Sequence, residues 1–250
     1  MIKFSAKTDK GVIRKTNQDY FAATNEPVSL FILCDGMGGH SAGDVASRSA
    51  AESIKKYVSV HYSLDTDERK ARRLLCEAVK YANKIVYSRA RKIPAYGDMG
   101  TTCDVCFVDF DMLYIAHVGD SRVYLYRDGT LSQITTDHTY MQELLKKGSI
   151  TESEIETHPA RHMITRAVGT EEDIEVDFYK VPLSDGDVIL MCSDGLTNIL
   201  SDNGIKKVLL PEGDLESAAE QFIRKANEGG GDDNTTVVLL KYTKNEEEEK

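Results

Sequence analysis

Asp35-Gly36-Met37-Gly38-Gly39-His40 stands directly behind the apolar run Leu30-Phe31-Ile32-Leu33-Cys34. A strand that ends in a carboxylate and then breaks into glycines leaves backbone bare enough for an ion or a phosphate to approach. Asp-Gly alone is an ordinary turn signal. The design recurs, however, at Ile115-Ala116-His117-Val118-Gly119-Asp120 and at Val188-Ile189-Leu190-Met191-Cys192-Ser193-Asp194-Gly195. It runs in reverse at Gly229-Gly230-Gly231-Asp232-Asp233-Asn234, ahead of the apolar run 235–242. If Asp35, Asp120, Asp194 and Asp233 converge, with Asp19 joining from an N-terminal loop, their charges conflict. Two carboxylates at ~4 Å repel by roughly 4 kcal/mol at an effective dielectric near 20, so the set cannot stay ionised without counter-charge. Divalent cations would supply it, and all-oxygen ligands favour Mg²⁺ or Mn²⁺ over zinc. A pair of such ions can lower the pKa of a bridging water and aim it at phosphorus. Arg14, just upstream of Asp19, has the fork that matches phosphate oxygens two at a time. By spacing alone, a solvated surface arginine is the better reading.

Bulk properties narrow the chemistry. The chain has 250 residues, 41% hydrophobic and 29% charged, enough for one large domain with a substantial core. Its formal net charge of −10 argues against nucleic-acid or anionic-membrane binding. The same charge would repel an anionic substrate unless bound cations reverse the sign locally. The apolar runs are strand-sized, the start lacks the apolar stretch of a secretory leader, and five scattered cysteines suit a reducing cytoplasm. Cys103-x-x-Cys106 lies in an expected strand, where residues three apart point to opposite faces and cannot share an ion.

The elements that must position the aspartates follow from periodicity. Residues 42–58 carry Ala46, Ala50, Ile54 and Tyr57 at helical spacing, and Ala71, Leu74, Leu75, Ala78, Val79, Ala82, Ile85 and Val86 form a second stripe. Strands are expected at 4–8, 21–23, 102–110, 112–118, 122–126, 131–135, 173–181, 188–192 and 235–242, and helices at 203–209 and 215–226. Connections such as Asp109-x-Asp111 and Asp128-Gly129 are too short for crossover helices, so these strands must be antiparallel. The polar segment 140–170, with a capping box at Thr151-x-x-Glu154, interrupts the strand series as a flap. The pattern predicts an α+β fold: a central antiparallel β-sandwich flanked by pairs of α-helices in α-β-β-α layers. It is read as one domain over 1–243, with an acidic disordered tail over 244–250.

Taken together and in order, Thr8-Asp9-x-Gly11-x-x-Arg14-x-x-Asn17-Gln18-Asp19, Asp35-Gly36-Met37-Gly38-Gly39-His40, Gly100-Thr101-Thr102, Val118-Gly119-Asp120-Ser121-Arg122, Thr136-Asp137-His138, Ser193-Asp194-Gly195 and Asp233-Asn234-x-Thr236 resemble the metal-dependent protein phosphatases (PPM, or type 2C) in their bacterial serine/threonine form. The resemblance implies hydrolysis of phosphoserine and phosphothreonine by direct attack of a hydroxide bridging two ions, Mn²⁺ or Mg²⁺. By it, Asp35 bridges the ions, the Gly36 carbonyl binds one, Asp194 and Asp233 hold the first, and Asp19 supports the second through water. Asp120 and Asp194 form a weaker third site, Arg14 holds the phosphate, and Asn234 orients ligands or substrate. It further implies phosphorylated proteins as substrates, a bacterial serine/threonine kinase whose marks are reversed, and a monomer. One position departs: eukaryotic members carry a histidine where this chain has Met37, which leaves His40 or a metal-bound water as the proton donor.

Rival readings are fewer. Asp109-Phe110-Asp111 matches the Asp-x-Asp of haloacid-dehalogenase-type phosphatases, but that fold needs parallel strands with helices between, and a hairpin turn explains the motif better. No cysteine has the Cys-x₅-Arg spacing of thiol phosphatases, and no glycine-rich Lys-Ser/Thr loop occurs. A silent phosphoprotein-binding module or a small-molecule phosphohydrolase with the same centre stays open.

Overall fold

Alternation along the strands decides how the layers stack. The computed structural model describes residues 1–25, 28–38, 42–64, 67–155, 158–209 and 214–244. In β3 (Ser29–Met37), Leu30, Ile32 and Cys34 face a helix layer, whereas Phe31 and Leu33 face a second sheet. An apolar run of this kind is what a strand buried on both faces requires. β3 lies in the sheet ordered β2 (Asp19–Thr24), β3, β5 (Cys103–Asp109), β6 (Met112–Val118), β9 (Asp177–Pro182), with β4 (Gly100–Thr101) beside β3. The facing sheet runs β1 (Ile2–Asp9), β11 (Thr235–Tyr242), β10 (Val188–Cys192), β7 (Arg122–Arg127), β8 (Thr130–Gln133). Each pairing along these two paths is antiparallel, as the short connections predict.

Helices close both outer faces. α1 (Ala42–His61) and α2 (Glu68–Lys92) lay Ala46, Ala50, Ile54, Leu75 and Ala78 on the β3 sheet. α6 (Asp202–Leu209) and α7 (Leu215–Glu228) place Ile205, Phe222 and Ala226 against Leu190 and Leu239 of the other. α2 starts where Asp67 accepts from the Lys70 N–H at 2.8 Å, and it ends with Arg89, Arg91 and Lys92 at the negative pole of its dipole. The four α-β-β-α layers are those the periodicity predicts.

Two details differ from expectation. The strand expected over 173–181 begins only at Asp177, because its partner β6 ends at Val118 and the ladder between them starts at His117 and Asp177; just upstream, Asn83 of α2 donates to the carbonyls of Glu171 and Glu172, both at 3.0 Å. The strand expected over 102–110 is β5, and β4 stands before it as a separate short strand, with Thr101 paired to Gly36 on one side and to Val168 on the other. In the flap, α3 (Tyr140–Lys146) is followed by α4 (Glu152–Ile155), whose Glu154 accepts from the Thr151 N–H at 2.8 Å in the expected capping box. Asp109 and Met112 pair across a hairpin whose Phe110 sits in the left-handed region at φ 52, so Asp109-x-Asp111 is a turn. Cys103 faces the α1–α2 layer and Cys106 the space between the sheets, so this pair cannot share an ion. Of the tail, Lys244 is described, its N–H bonded to Asp185 Oδ1 at 2.9 Å; residues 245–250 lie outside the described residues.

At one end the layer between the sheets turns polar. Asp104 and His117, opposite each other on β5 and β6, continue the inward phase of Cys106 and Ile115. His117 Nδ1 lies 2.6 Å from Asp104 Oδ1, with both side chains fully buried. His117→Ala strands the Asp104 charge and is expected to lower unfolding stability by about 3–5 kcal/mol in urea titration. A loss below about 1 kcal/mol would show that the pair carries no charge.

Candidate metal centre

The strand register brings the first two carboxylates together. Asp19 and Asp35 are Cα partners across β2 and β3. Both share the inward phase of Phe21, Phe31 and Leu33, so both side chains open toward the second sheet. The backbone of Asp35 is held on both sides: its N–H donates to Thr102 Oγ1 at 2.9 Å, and its carbonyl accepts from Thr101 Oγ1 and Thr102 N, each at 2.8 Å. Gly100-Thr101-Thr102 is therefore a clamp on Asp35. Gly36 has to be glycine, because a Cβ there would stand 2.0 Å from the carbonyl oxygen of Gly43 in α1.

The facing sheet delivers the rest. Ser193 and Thr236 lie in the inward phase of β10 and β11, and both hydroxyls donate to Asp19 Oδ2 at 2.7 Å. Asp194 opens a single-turn helix, α5 (Asp194–Thr197), which the sequence pattern does not announce, and its carboxylate accepts from Asn198 Nδ2 at 3.1 Å. Asp120 follows Gly119 at the end of β6 and is buried. Asp233 stands just before β11, its Oδ1 accepting the Asn234 N–H at 2.8 Å.

Electrostatics shows that the five converge. Burial raises the Asp35 carboxyl well above the ordinary range, and the charges of Asp19, Asp194, Asp120 and Asp233 each push it further. Burial likewise raises Asp19 to about 6, helped by Asp194 and opposed by the Thr236 and Ser193 hydroxyls. Asp120 rises to about 7 through burial and then the charge of Asp194. Asp194 rises through burial and then Asp233. A set of acids that suppress one another's ionisation calls for cations. One atom tests the fit directly: Asp19 Oδ1 is buried and has no hydrogen-bond partner. An unpartnered carboxylate oxygen amid an all-oxygen donor set suits Mg²⁺ or Mn²⁺. Among the described residues no three acidic, histidine or cysteine side chains close into a ready-made cage. Asp233 also accepts from Arg14 and Asp194 from Asn198.

Comparison with known proteins agrees with this arrangement. Residues 14–228 match the Protein phosphatase 2C family. The chain belongs to that family. It is 37% identical over 225 residues to the serine/threonine phosphatase stp of Listeria welshimeri, covering 88% of each chain. The serine/threonine phosphatase PstP/Ppp of Mycobacterium tuberculosis superposes with a TM-score of 0.87 at 35% identity, over 97% of this chain and 99% of that one. A structure of the PstP catalytic domain in complex with two manganese ions superposes at 0.84 and 33% identity, over 97% and 98%.

Within this phosphatase 2C chain the remaining expected residues take distinct places. Arg14 reaches the centre: its Nη2 donates to Asp233 Oδ2 at 2.7 Å and its Nε to the Asp232 carbonyl at 3.2 Å. Its loop is packed onto the same turn, since Gly11 has φ +77 and a Cβ there would stand 2.3 Å from the Asp233 carbonyl oxygen. Asn234 is buried, and its amide is committed to that loop. Its Nδ2 donates to the carbonyls of Lys10 at 2.9 Å and Thr16 at 3.0 Å, and its Oδ1 accepts from Gln18 N at 2.8 Å. Both side-chain donors hold backbone and its own N–H holds the Asp233 carboxylate, so Asn234 positions the Arg14 loop and Asp233 together. His40 lies outside the described residues. His138 is structural, its Nδ1 accepting the Gly119 N–H at 3.0 Å. His162, exposed in the flap, was not foreseen; its charge opposes the rise at Asp194, which puts it within electrostatic reach of the centre. Nothing in its local sequence announces this. A cavity of about 530 Å³ lined by Lys80, Arg166, Thr170 and Glu171, among others, includes none of Asp19, Asp35, Asp120, Asp194 and Asp233.

Proposed function

We propose that Asp19, Asp35, Asp120, Asp194 and Asp233, with the Gly36 carbonyl, hold two Mn²⁺ or Mg²⁺ ions and a weaker third. In this reading the protein phosphatase 2C removes phosphate from phosphoserine and phosphothreonine in proteins. Membership of the family and the serine/threonine phosphatases among its relatives make it a protein serine/threonine phosphatase. The observation that carries the residue assignment is the mutual suppression of ionisation around Asp35, together with the unpartnered buried oxygen of Asp19. When bound, the ions supply counter-charge for the phosphate and a water acidified for attack.

The chain's own residues then divide the work. Ser193 and Thr236 fix Asp19 in one rotamer through their two hydroxyl bonds. Thr101 and Thr102 fix the backbone at Asp35. Asn234 fixes the loop from which Arg14 reaches across the centre, and Arg14 exchanges Asp233 for the substrate phosphate. His40 would be the chain's own candidate to protonate the leaving alkoxide, with bound ions able to supply an acidified water in its place. All five aspartate positions are filled, which favours turnover over a silent binding module. The net charge of −10 supports a substrate that is neither nucleic acid nor membrane. No helix among the described residues is long and apolar enough to cross a membrane. A cytoplasmic monomer that reverses a bacterial serine/threonine kinase completes the reading.

Arg14→Ala tests the assignment. It should raise KM for a phosphopeptide roughly 10- to 100-fold. The Mn²⁺ concentration for half-activation should not rise, because the substitution frees Asp233. An unchanged KM with weakened Mn²⁺ activation would make Arg14 a structural partner of the metal site instead.

A further inference from the structure

The loop that carries Arg14 also carries an unexplained apolar pair. Val12 and Ile13 are 63% and 66% exposed. Other strongly exposed large apolar side chains among the described residues stand singly along the chain; these two are sequence neighbours. They are also held rigidly. The N–H groups of Val12 and Ile13 both donate to the Gly231 carbonyl, at 2.8 and 3.2 Å. Gly11 is wedged against Asp233 on one side of the pair, and the Arg14 guanidinium is bonded to Asp232 and Asp233 on the other. Lys10 and Lys15, both exposed, bracket the segment with positive charge. Two branched apolar side chains on a tethered loop expose apolar area with little conformational entropy left to lose, which is the economy of a recognition surface.

We infer that Val12 and Ile13 form a specificity surface that receives an apolar side chain flanking the phosphorylated serine or threonine of the substrate protein. The inference rests on Arg14 as the phosphate clamp. A phosphate held by Arg14 brings the adjoining peptide over residues one and two positions away on the same loop. An extended peptide advances about 3.3 Å per residue, so the neighbours of the phosphorylated residue fall within reach of Val12 and Ile13. An apolar neighbour removes water from both surfaces, whereas a charged or hydroxylated one leaves its own solvation unreplaced. A small phosphate ester has no flanking side chain to offer. The surface therefore separates protein substrates from one another without touching the metal centre.

The test compares two phosphothreonine peptides that differ only in having leucine or serine on both sides of the phosphorylated residue. The wild-type protein with Mn²⁺ should prefer the leucine-flanked peptide about tenfold in kcat/KM. In the double variant Val12→Ser, Ile13→Ser the ratio should fall to within about twofold of one. The ratio is internal to each protein, so partial loss of active enzyme cannot mimic the effect. A wild-type ratio near one, or a tenfold ratio kept by the double variant, overturns the inference. Arg14→Ala separates it from its foundation: that variant should weaken both peptides and narrow the ratio, because the phosphate no longer seats the peptide over Val12 and Ile13, whereas the double variant should narrow the ratio with little change for the serine-flanked peptide. If Arg14→Ala leaves both KM values unchanged, the clamp fails, whatever the ratio does.

Discussion

Replacing Asp35 with asparagine is expected to lower kcat on a phosphopeptide by at least about a thousandfold while raising the melting temperature of the metal-stripped protein. The two effects have one cause. Asp35 sits where burial and four neighbouring carboxylates oppose its charge, so its ionised form destabilises the folded chain unless cations are present. Asparagine keeps the shape and the clamp from Thr101 and Thr102, which acts on the backbone. It removes the charge that the ions need and that the stripped fold resists. The relief should appear as a gain of a few °C in the stripped protein, about 2–4 °C for each kcal/mol in a domain of this size. Scanning calorimetry in chelator and a phosphopeptide assay with Mn²⁺ read the two arms. A variant that is inactive because it has unfolded, or one that still turns over, contradicts the assignment of Asp35.

The second large effect links metal, pH and stability. For a carboxyl whose folded pKa lies above its unfolded value, stability is present at low pH and is lost as pH rises toward the folded pKa. Asp19, raised from 3.8 to about 6, and Asp120, raised to about 7, therefore destabilise the metal-stripped protein progressively between pH 4 and pH 8. His138 works the other way over part of that window. Burial, then His117 and Arg166, lowers it to about 4, so its neutral folded form becomes easier to reach as pH climbs to about 6.5. Comparing the protein with and without Mn²⁺ cancels the His138 contribution and leaves the aspartates. The gain in melting temperature on adding saturating Mn²⁺ should be small at pH 5 and should grow to roughly 5–15 °C at pH 8, because protons and cations compete for the same oxygens. A gain that does not change with pH would mean that the ions bind away from these carboxylates.

How far the sequence carried the site depends on which residue is asked about. Asp35, Asp120 and Asp194 were legible because each is marked twice, by the apolar strand behind it and by the glycine beside it. Asp35 and Asp194 need no partner in view to be recognised as strand-end acids. Asn234 was legible as a motif position, but a motif does not reveal that both amide hydrogens are bonded to the carbonyls of Lys10 and Thr16. His162 gave no local signal at all. The distance between the flap and Asp194 is set by how 140–170 folds back over the sheets, not by any neighbouring residue. The strand expected over 173–181 overran its true start for a similar reason: its ladder with β6 can begin only at His117 and Asp177, where β6 is about to end.

The chain's own order of residues determined the layers, the antiparallel connections and most of the acidic residues that converge at their ends, because period-two and period-3.6 burial and the shortness of the turns are local properties. Tertiary structure alone decided which oxygen of Asp19 is left without a partner, that Arg14 lies on Asp233, and that Val12 and Ile13 stand exposed beside it. Each of those facts is a meeting of segments more than two hundred residues apart or a balance of burial around them, and no window of sequence contains both sides of such a contact.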